Sequence, residues 1–294
     1  MWQQYLQKIQ QANIKTLARC ISLIENEKAG YETLLQLLPP STVPVIGITG
    51  PPGAGKSTLV DALISVMVEQ EKKVGVLCID PSSPFNLGAL LGDRVRMSEW
   101  HGNPNVFIRS LATRGSLGGL HPKIIEITDL LKAATFDYII IETVGVGQSE
   151  IEIAGLADVT VVIVVPEAGD EVQTMKAGLM EIADLFVVNK SDRPDADIFV
   201  RNLRSMLHSS FNQKEVPVIK TIASRKKGIA ELFEAIKSNL SDHHINPKHF
   251  WLLAEKAYCL IQQKRMKKVD KKELKNSIEV EGDEFNLYRF IEKY

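Results

Sequence analysis

Short apolar runs alternate with amphipathic segments of helix length between about residue 43 and residue 240. Most of these runs are rich in β-branched residues and apolar on both faces, which is typical of strands buried in a parallel sheet. The runs predict strands at Val45–Thr49, Val74–Asp80, Val106–Arg109, Tyr138–Glu142, Val159–Val165, Leu185–Asn189 and Val218–Thr221. Their alternation with helices predicts an α/β fold in three layers, with a mostly parallel central sheet.

The two ends of the chain follow a helical pattern instead. Residues 1–42 repeat apolar side chains at helical spacing and end on Pro39-Pro40, which predicts an N-terminal helical extension. Residues 241–294 return to this spacing and are expected to form a C-terminal helical arm. Its basic run at residues 264–268 is expected to be a solvated helix face, with a partner-binding patch as the alternative. Residues 43–240 form the predicted central domain.

Composition and charge narrow the classes of protein to consider. The 35 Lys and Arg residues nearly balance the 36 Asp and Glu residues, so no polycationic surface for nucleic acid or anionic lipid is expected. The widely spaced Cys20, Cys78 and Cys259 favour reduced thiols over a disulfide framework or a zinc site. The chain starts without the apolar stretch of a signal peptide, and its apolar runs are far shorter than a bilayer span. We therefore expect a soluble cytoplasmic protein, with neither nucleic acid nor a membrane as a partner.

The segment between the first predicted strand and the next helix matches GxxxxGK[ST], the pattern of a phosphate-binding loop. Glycines let backbone N–H groups converge on phosphates, and the start of a helix adds partial positive charge. Lys56 is expected to reach the β- and γ-phosphates, and Ser57 to place its hydroxyl on Mg²⁺. The residues predicted to hold the phosphates are Gly53, Ala54, Gly55, Lys56, Ser57 and Thr58. The alternative, a glycine-rich turn without a ligand, does not require this strand–loop–helix setting.

Two further predicted strands end on carboxylates, Asp80 and Glu142. Phosphoryl-transfer sites carry such groups near the magnesium, usually on a strand beside the phosphate-loop strand. Either carboxylate alone could instead cap a helix, but the two together behind a phosphate loop favour a metal site. Glu142 also opens a segment similar to the DxxG motif of many GTPases, with Gly145 as its glycine. Val146 holds the position of the water-orienting glutamine of Ras-type proteins, so slow intrinsic hydrolysis is expected.

Residues 189–192 (NKSD) match the NKxD signature after the sixth predicted strand. The Asp192 carboxylate would accept hydrogen bonds from N1–H and the exocyclic amine of guanine, a pair of donors that adenine lacks. Asn189 and Lys190 complete this base-selecting motif, and the later strand end at Ala223 and Ser224 resembles the loop that adds backbone contacts to the base. The sequence thus predicts GTP or GDP, with Mg²⁺, as the ligand.

Together these motifs resemble the methylmalonyl-CoA mutase-associated GTPases, the MeaB/ArgK family within the SIMIBI class of P-loop GTPases. The resemblance covers residues 14–240. It rests on residues 50–58 (GPPGAGKST), 80–83 (DPSS), 91–97 (LGDRVRM), 114–120 (RGSLGGL), 142–150 (ETVGVGQSE), 169–173 (GDEVQ) with Lys176, and 180–184 (MEIAD) leading to 189–192. Few of these segments are general features of P-loop proteins. The chain differs from the family at residues 84–90, and its arm beyond His244 matches poorly.

The resemblance implies a P-loop NTPase fold flanked by helical extensions, and a homodimer formed through the C-terminal arm. It implies a GTPase that acts as a chaperone of an adenosylcobalamin-dependent acyl-CoA mutase, such as methylmalonyl-CoA mutase. In that role the protein would gate cofactor loading and protect the mutase from inactivation. The resemblance does not imply that this chain binds cobalamin itself. The identity of the mutase is not encoded in this one chain.

The resemblance also assigns roles to residues. The magnesium would be surrounded by Ser57, Asp80, Asp93 and Glu142. A third switch, which relays the nucleotide state to the mutase, would be formed by Asp170, Glu171 and Lys176. The residues expected to act on the reacting phosphate are Lys56, Glu142 and Lys176. Without the family, residues 169–171 would be taken as an ordinary strand-to-helix turn.

Three other functions remain open at this point. A metal-delivery GTPase of the hydrogenase or urease maturation type needs clustered Cys and His ligands near its switches, where this chain has only His101 and His121. A small-molecule or protein kinase would use the phosphate loop to bind ATP, against which NKSD argues. A pure scaffold would work without nucleotide turnover and would tolerate Lys56→Ala.

Overall fold

The structure of the chain is a computed structural model. It describes residues 1–81, 97–100, 102–114, 120–145, 149–166, 179–209, 216–241, 247–266, 269–282 and 285–293. The chain divides into two units, residues 1–244 and residues 245–294. All strands of the sheet lie in the first unit, and the second unit is helical where it is described.

The sheet has seven strands, and every pairing between neighbours is parallel. The strands are β1 Val45–Thr49, β2 Val74–Asp80, β3 Val106–Ala112, β4 Tyr138–Glu142, β5 Val159–Val164, β6 Leu185–Val188 and β7 Val218–Lys220. Their order across the sheet is β3-β2-β4-β1-β5-β6-β7, so the strand before the phosphate loop is central. The carboxyl ends of all seven strands meet at one edge, where open α/β sheets bind ligands.

The predicted strands are all found, and four of their ends differ. Strand β3 continues past Arg109 to Ala112, because it pairs with β2 up to the register Asp80↔Ala112. The charge of Arg109 within this strand is paired with Glu25, 84 residues earlier in the chain. The strands β5, β6 and β7 end one residue earlier than predicted, which leaves Val165, Asn189 and Thr221 in the loops.

Helices of the first unit surround this sheet. They are α1 Trp2–Gln10, α2 Ile14–Glu25, α3 Tyr31–Gln36, α4 Lys56–Glu69, α5 Ile124–Lys132, α6 Ser149–Ala154, α7 Leu179–Ile182, α8 Ala196–Ser209 and α9 Ile229–Ser241. The predicted helical pattern before residue 42 corresponds to α1–α3, and α3 ends at Gln36, ahead of Pro39-Pro40. Asn13 begins α2 by accepting a hydrogen bond from the backbone N–H of Thr16 at 2.9 Å.

Alternation of side chains along the strands divides the core into two faces. On one face α4 and α9 cover strand residues that include Ile46, Val76, Ile140 and Val161. On the other face α1–α3 and α5 cover residues such as Leu77, Ile139 and Ile141, and α7 and α8 cover the β5–β7 end. Helices on both faces of a parallel sheet give the three layers predicted.

The described part of the second unit contains α10 Pro247–Met266, α11 Lys271–Glu281 and α12 Leu287–Ile291. Asp270 and Asn286 cap the last two helices through their side-chain oxygens. Phe290 is buried against the Phe285 ring at a centroid distance of 5.6 Å. Large apolar side chains are exposed throughout this unit: Phe250, Tyr258, Ile261, Met266, Val280, Leu287, Tyr288 and Ile291. Lys264 and Arg265 of the basic run are also exposed, as predicted.

The cysteines agree with the sequence prediction of reduced thiols. All three cysteines are free thiols, and Cys20 and Cys78 are packed in the two faces of the core. Burial raises the pKa of the Cys20 thiol to about 11, which keeps it protonated. Among the described helices, none combines the length and apolarity needed to cross a bilayer.

Candidate functional site

The predicted phosphate loop, residues 50–55, joins the central strand β1 to helix α4 at the ligand-binding edge of the sheet. Helix α4 begins at Lys56, so the backbone N–H groups of its first turn lie at the end of this loop. The Lys56 ammonium is buried and donates hydrogen bonds to the carbonyl oxygens of Gly50 at 2.9 Å and Pro51 at 3.2 Å. A helix start and an ammonium folded over the same loop can both stabilise anionic oxygens.

Two glycines let neighbouring loops approach this phosphate loop closely. Gly55 has φ +89°, and a Cβ there would lie 2.5 Å from the side-chain nitrogen of Asn189. Gly145 has φ +81°, and a Cβ there would lie 2.2 Å from the Gly50 carbonyl oxygen and 2.4 Å from Lys56 Nζ. Both positions therefore require glycine for conformation and for space. The backbone after β4 thus lies directly against the Lys56 ammonium.

The structure brings three of the four predicted magnesium residues to one edge. Ser57 Oγ donates a hydrogen bond to Glu142 Oε1 at 2.7 Å, which joins the start of α4 to the end of β4. Glu142 and Asp80 are both buried, at 4% and 5% exposure. Cys78 is the register partner of Glu142, so Asp80 lies two residues further along the adjacent strand. The set therefore offers a hydroxyl and two carboxylates beside the phosphate loop.

The predicted base-selecting loop is joined to the phosphate loop through Asn189. Its side-chain nitrogen donates to the Ala54 carbonyl oxygen at 2.9 Å, and only 3% of the residue is exposed. Its side-chain oxygen accepts from the Thr221 hydroxyl and from the backbone N–H of Ala223, both at 3.1 Å. One amide therefore uses donor and acceptor together to hold three loops in place.

Lys190 and Asp192 extend from this anchored position. Lys190 has φ +55°, and its ammonium donates to the Gly53 carbonyl oxygen at 2.7 Å. The Asp192 carboxylate lies 3.8 Å from the Arg225 guanidinium, and its side chain is 38% exposed. An accessible carboxylate beside a rigid loop can accept hydrogen bonds from a ligand, as the NKxD reading requires.

Several predicted residues are not part of these contacts. Thr58, in the first turn of α4, and Ser224, after β7, are both exposed. Val146 and four of the residues assigned by the family resemblance lie outside the described residues: Asp93, Asp170, Glu171 and Lys176. The structure therefore bears on the phosphate, base and strand-end positions only.

Sequence reasoning missed residues that support the site from behind. The hydroxyls of Thr49 and Thr143 lie 2.9 Å apart in a buried contact between the ends of β1 and β4. The sequence predicts Thr221 as the last residue of a strand, whereas its hydroxyl donates a hydrogen bond to Asn189 Oδ1. A threonine that ends an apolar run could have indicated such a role, because its hydroxyl can bond a neighbouring loop. Arg225 gave no comparable signal in the sequence.

A buried histidine lies after strand β3. His121 is 1% exposed, and burial lowers its pKa to about 4, with further lowering by the positive charges of Arg114, Lys123 and Arg109. Its Nδ1 accepts the backbone N–H of Lys123 at 3.0 Å, so the proton of the neutral ring is assigned to Nε2. His121 is therefore neutral at pH 7.

The residues present fit a nucleotide with Mg²⁺. The hydroxyl of Ser57 and the carboxylates of Asp80 and Glu142 are the hard oxygen donors that Mg²⁺ prefers, directly or through water. The glycine loop at the start of α4 suits phosphate oxygens for the reasons given above. No group of three or more His, Cys, Asp or Glu side chains able to hold a metal occurs among the described residues, so this set depends on the hydroxyl and on further ligands.

Known proteins similar to this chain agree with the site. The family described as "Methylmalonyl Co-A mutase-associated GTPase MeaB" matches residues 17–275. A Pyrococcus horikoshii protein named as a GTPase is 45% identical over 241 residues, covering 80% of this chain and 76% of its own. The mouse methylmalonic aciduria type A homolog, a mitochondrial protein, is 39% identical over 199 residues, covering 65% of this chain and 48% of its own.

The fold has a counterpart among solved structures as well. A crystal structure of an LAO/AO transport system kinase superposes with a TM-score of 0.71 at 25% identity, covering 99% of this chain and 95% of that one. The sequence match extends over most of the chain and includes the phosphate loop, both strand-end carboxylates and the NKSD segment. The chain therefore belongs to the family of methylmalonyl-CoA mutase-associated GTPases of the MeaB type.

Proposed function

We propose that this protein binds GTP and Mg²⁺, hydrolyses GTP slowly, and signals its nucleotide state to an adenosylcobalamin-dependent acyl-CoA mutase. The observation that carries the proposal is the junction of the NKSD loop with the phosphate loop. Asn189 bonds Ala54 and Lys190 bonds Gly53, so the base-selecting segment and the phosphate segment form one rigid pocket wall. A shared wall fixes the distance between a base reader and a phosphate loop, as binding a single guanine nucleotide requires.

In this proposal each group has a distinct role. Lys56 would exchange its bonds with loop carbonyls for phosphate oxygens, which stabilises charge at the γ-phosphate. Ser57, Asp80 and Glu142 would hold Mg²⁺ together with Asp93, and the ion would neutralise charge between the β- and γ-phosphates. Asp192 would accept the two donors of guanine. Ala223 and Ser224 would add backbone contacts to the base.

The proposed partner rests on the family and on one relative. The family description names methylmalonyl-CoA mutase, and the mouse relative is named for methylmalonic aciduria. We propose that the third switch of Asp170, Glu171 and Lys176 carries the nucleotide state to such a mutase, so that cofactor loading is gated and the mutase is protected. Slow hydrolysis suits this role, since a long-lived GTP state leaves time for loading.

We also propose a cytoplasmic homodimer. The exposed apolar side chains of the second unit, among them Phe250, Tyr258 and Ile261, support an interface with a second copy. Three free thiols support a reducing compartment. In this assignment the domains are the N-terminal extension 1–42, the GTPase domain 43–240 and the dimerising arm 241–294.

Nucleotide competition tests the first part of the proposal. We expect purified protein to bind a fluorescent GDP analogue that excess GTP displaces and excess ATP does not, since adenine lacks both donors for Asp192. Lys56→Ala should weaken this binding, whereas Lys220→Ala should not, because the Lys220 ammonium pairs with the exposed Asp197 at 2.8 Å. Displacement by ATP, or phosphate transfer from ATP to a small acceptor, would favour a kinase instead.

The remaining alternatives give different results in the same preparation. A scaffold would keep its biological activity in the Lys56→Ala variant, whereas the proposed switch would lose it. A metal-delivery GTPase would bind a transition metal tightly. We expect no tight nickel or zinc binding, and micromolar or tighter binding would contradict the mutase assignment.

A further inference from the structure

Polar contacts hold the three N-terminal helices, through α2 and α3, to the strand beside Asp80 and to the connection that follows it. These helices, α1–α3, are called the N-terminal layer here and span residues 2–36. Arg109 of β3 forms an ion pair with the Glu25 carboxylate at the end of α2 and donates to Ser22 Oγ at 3.1 Å. The side chains of Arg109 and Glu25 are only 21% and 10% exposed. A buried pair of this kind fixes geometry, because separating it leaves a desolvated charge.

Arg114 makes the second contact with α2, five residues further along. Its guanidinium donates to the main-chain carbonyl oxygen of Glu25 at 2.6 Å and to Asn26 Oδ1 at 3.3 Å. This carbonyl belongs to the last turn of α2, where a cation also interacts favourably with the helix dipole. The backbone of Arg114 has φ +49°, an unusual conformation for a residue other than glycine. Such a conformation persists where surrounding contacts hold it.

Lys123 makes a third contact after the same loop. Its ammonium bonds the Tyr31 hydroxyl at 3.1 Å, lies 5.4 Å from the centre of the Tyr31 ring and is 3.7 Å from the Glu27 carboxylate. Arg114 and Lys123 therefore tie both sides of the connection between β3 and α5 to the N-terminal layer. Nothing in the nucleotide-binding role described above uses these contacts.

The same connection is bonded to the carboxyl end of β2. The backbone N–H of Thr113 donates to the carbonyl oxygen of Asp80 at 3.0 Å, directly before Arg114. In the register of the two strands Asp80 faces Ala112. Thr113, which bonds the main chain of Asp80, therefore directly precedes Arg114, which contacts α2. A shift of Arg114 would be transmitted to the strand end that carries a proposed magnesium carboxylate.

We propose that Arg114 is a positioning residue for the magnesium side of the nucleotide site, through which the N-terminal layer holds Asp80 in place. The inference rests on the proposed function, since it presumes that Asp80 serves Mg²⁺. It assigns the N-terminal helices a part in metal-dependent steps, although no residue of α1–α3 belongs to the proposed site. The phosphate loop and Asn189, which the proposal assigns to the nucleotide, follow β1 and β6, whereas Arg114 follows β3.

Replacing Arg114 by asparagine tests this inference in the full-length protein. Asparagine tolerates a positive φ and removes the guanidinium, so the backbone conformation is retained. We expect the Mg²⁺ concentration for half-maximal GTP hydrolysis to rise at least about fivefold, the lower end of typical coupling between two sites. The dissociation constant for GDP in EDTA should stay within about twofold, because the phosphate and base contacts remain. Arg114→Lys, which keeps a donor for the Glu25 carbonyl, should restore part of the magnesium response.

A matched control separates positioning from a general loss of structure. Arg204→Ala removes another arginine that donates to a main-chain carbonyl, that of Val218 at 3.2 Å, on the opposite side of the sheet. It should leave the magnesium response unchanged. The inference would be overturned if Arg114→Asn needed the same Mg²⁺ concentration as wild type for half-maximal hydrolysis. It would also be overturned if GDP affinity in EDTA fell by as large a factor as the Mg²⁺ requirement rose. In either case the wild-type protein would remain a GTPase. Wild-type hydrolysis that needs no Mg²⁺ would instead contradict the proposed function, and the inference with it.

Discussion

Asn189 and Asp192 belong to one motif but differ in their surroundings. Asn189 is buried and uses its amide to join three loops, so its role in the fold is inseparable from any role in binding. Asp192 is partly exposed, and its ion pair with Arg225 is 3.8 Å long, a kind of contact that contributes little to stability. Asp192 can therefore be changed to test base selection without disturbing the pocket.

Asp192→Asn should change the choice of base. An amide offers one acceptor and one donor group, which mismatches the two donors of guanine but suits xanthine, whose 2-oxygen is an acceptor. We expect GDP affinity to fall by at least about 10²-fold, within the range for unpaired polar groups in such sites, and xanthosine diphosphate to bind better than to wild type. Competition with a fluorescent nucleotide measures both.

Asp195→Asn is the matched control for this substitution. Asp195 lies in the same loop with φ +65°, a conformation that asparagine adopts readily. Its GDP and xanthosine diphosphate affinities should equal those of wild type. Retained guanine preference in Asp192→Asn would show that another group reads the base.

His121 provides a prediction about pH. Its pKa of about 4 in the folded protein lies below the value of 6.5 for an unshifted histidine. Between these two pH values the unfolded chain binds more protons than the folded chain, so the free energy of unfolding rises with pH across this window. The stability contributed by His121 is therefore lost as pH falls from 6.5 to 4. The contribution is up to roughly 3 kcal/mol. The cations around His121 are Arg109, Arg114 and Lys123.

Urea denaturation of wild type and His121→Gln at several pH values measures this contribution. Glutamine does not titrate, so the difference in stability between the two proteins should shrink as pH falls from 6.5 towards 4. The difference at pH 7.5, where the histidine is neutral in both states, serves as the baseline. A difference that stays constant over the whole range would contradict the assigned pKa.

At the scale of elements, the strands could be predicted because β-branched apolar runs stop at charged or polar residues. Asp80 and Glu142 were located this way, and parallel pairing of β2 with β4 brings them to one edge. The extent of β3 could not be predicted, since Arg109 is accommodated by Glu25, a partner 84 residues distant. The hydrogen bonds of Asn189 to Ala54 and Thr221 were equally hidden, because local sequence does not encode contacts between loops.

The close approach of the loop after β4 to the phosphate loop gives a prediction for Gly145. Gly145→Ala would place a Cβ 2.2 Å from a backbone oxygen, so the loop must move away from Lys56. We expect GTP affinity to fall by at least about tenfold, which corresponds to about 1.4 kcal/mol. Isothermal titration with a non-hydrolysable GTP analogue measures the loss.

Gly102→Ala is the control for conformation alone. Gly102 has φ +91°, similar to that of Gly145, but among the described residues no atom beyond its chain neighbours lies within 4 Å of the added Cβ. It should cost stability by about 1–2 kcal/mol through backbone strain and leave nucleotide affinity unchanged. Equal affinity for nucleotide in Gly145→Ala and wild type would mean that the close approach is not needed for binding.

At the scale of the whole molecule, the exposed apolar side chains of the second unit distinguish it from the first. In α10, Tyr258 and Ile261 are three residues apart and therefore share a helix face, with 63% and 52% exposure. We expect the double variant Tyr258→Ser with Ile261→Ser to weaken the proposed homodimer and to shift its sedimentation towards the monomer. GDP affinity should stay unchanged, since the nucleotide site lies in the first unit.

A control for this variant is a double change at equally exposed polar positions of α11, Lys275→Ser with Glu279→Ser, which form an exposed ion pair at 3.2 Å. It should sediment as wild type does. A monomeric wild-type protein at micromolar concentration, or a Tyr258 and Ile261 variant that remains dimeric, would contradict the assignment of the arm as the dimer interface.

The central claim is that the nucleotide site serves as a switch read by a mutase, and GTP turnover with and without that enzyme tests it most directly. The rate of phosphate release should be slow for the protein alone and should change at least about fivefold on adding purified adenosylcobalamin-dependent methylmalonyl-CoA mutase, the lower end of typical allosteric coupling. The Lys56→Ala variant should show no such response. Fast turnover by the isolated protein, or a rate that no adenosylcobalamin-dependent acyl-CoA mutase alters, would contradict the account.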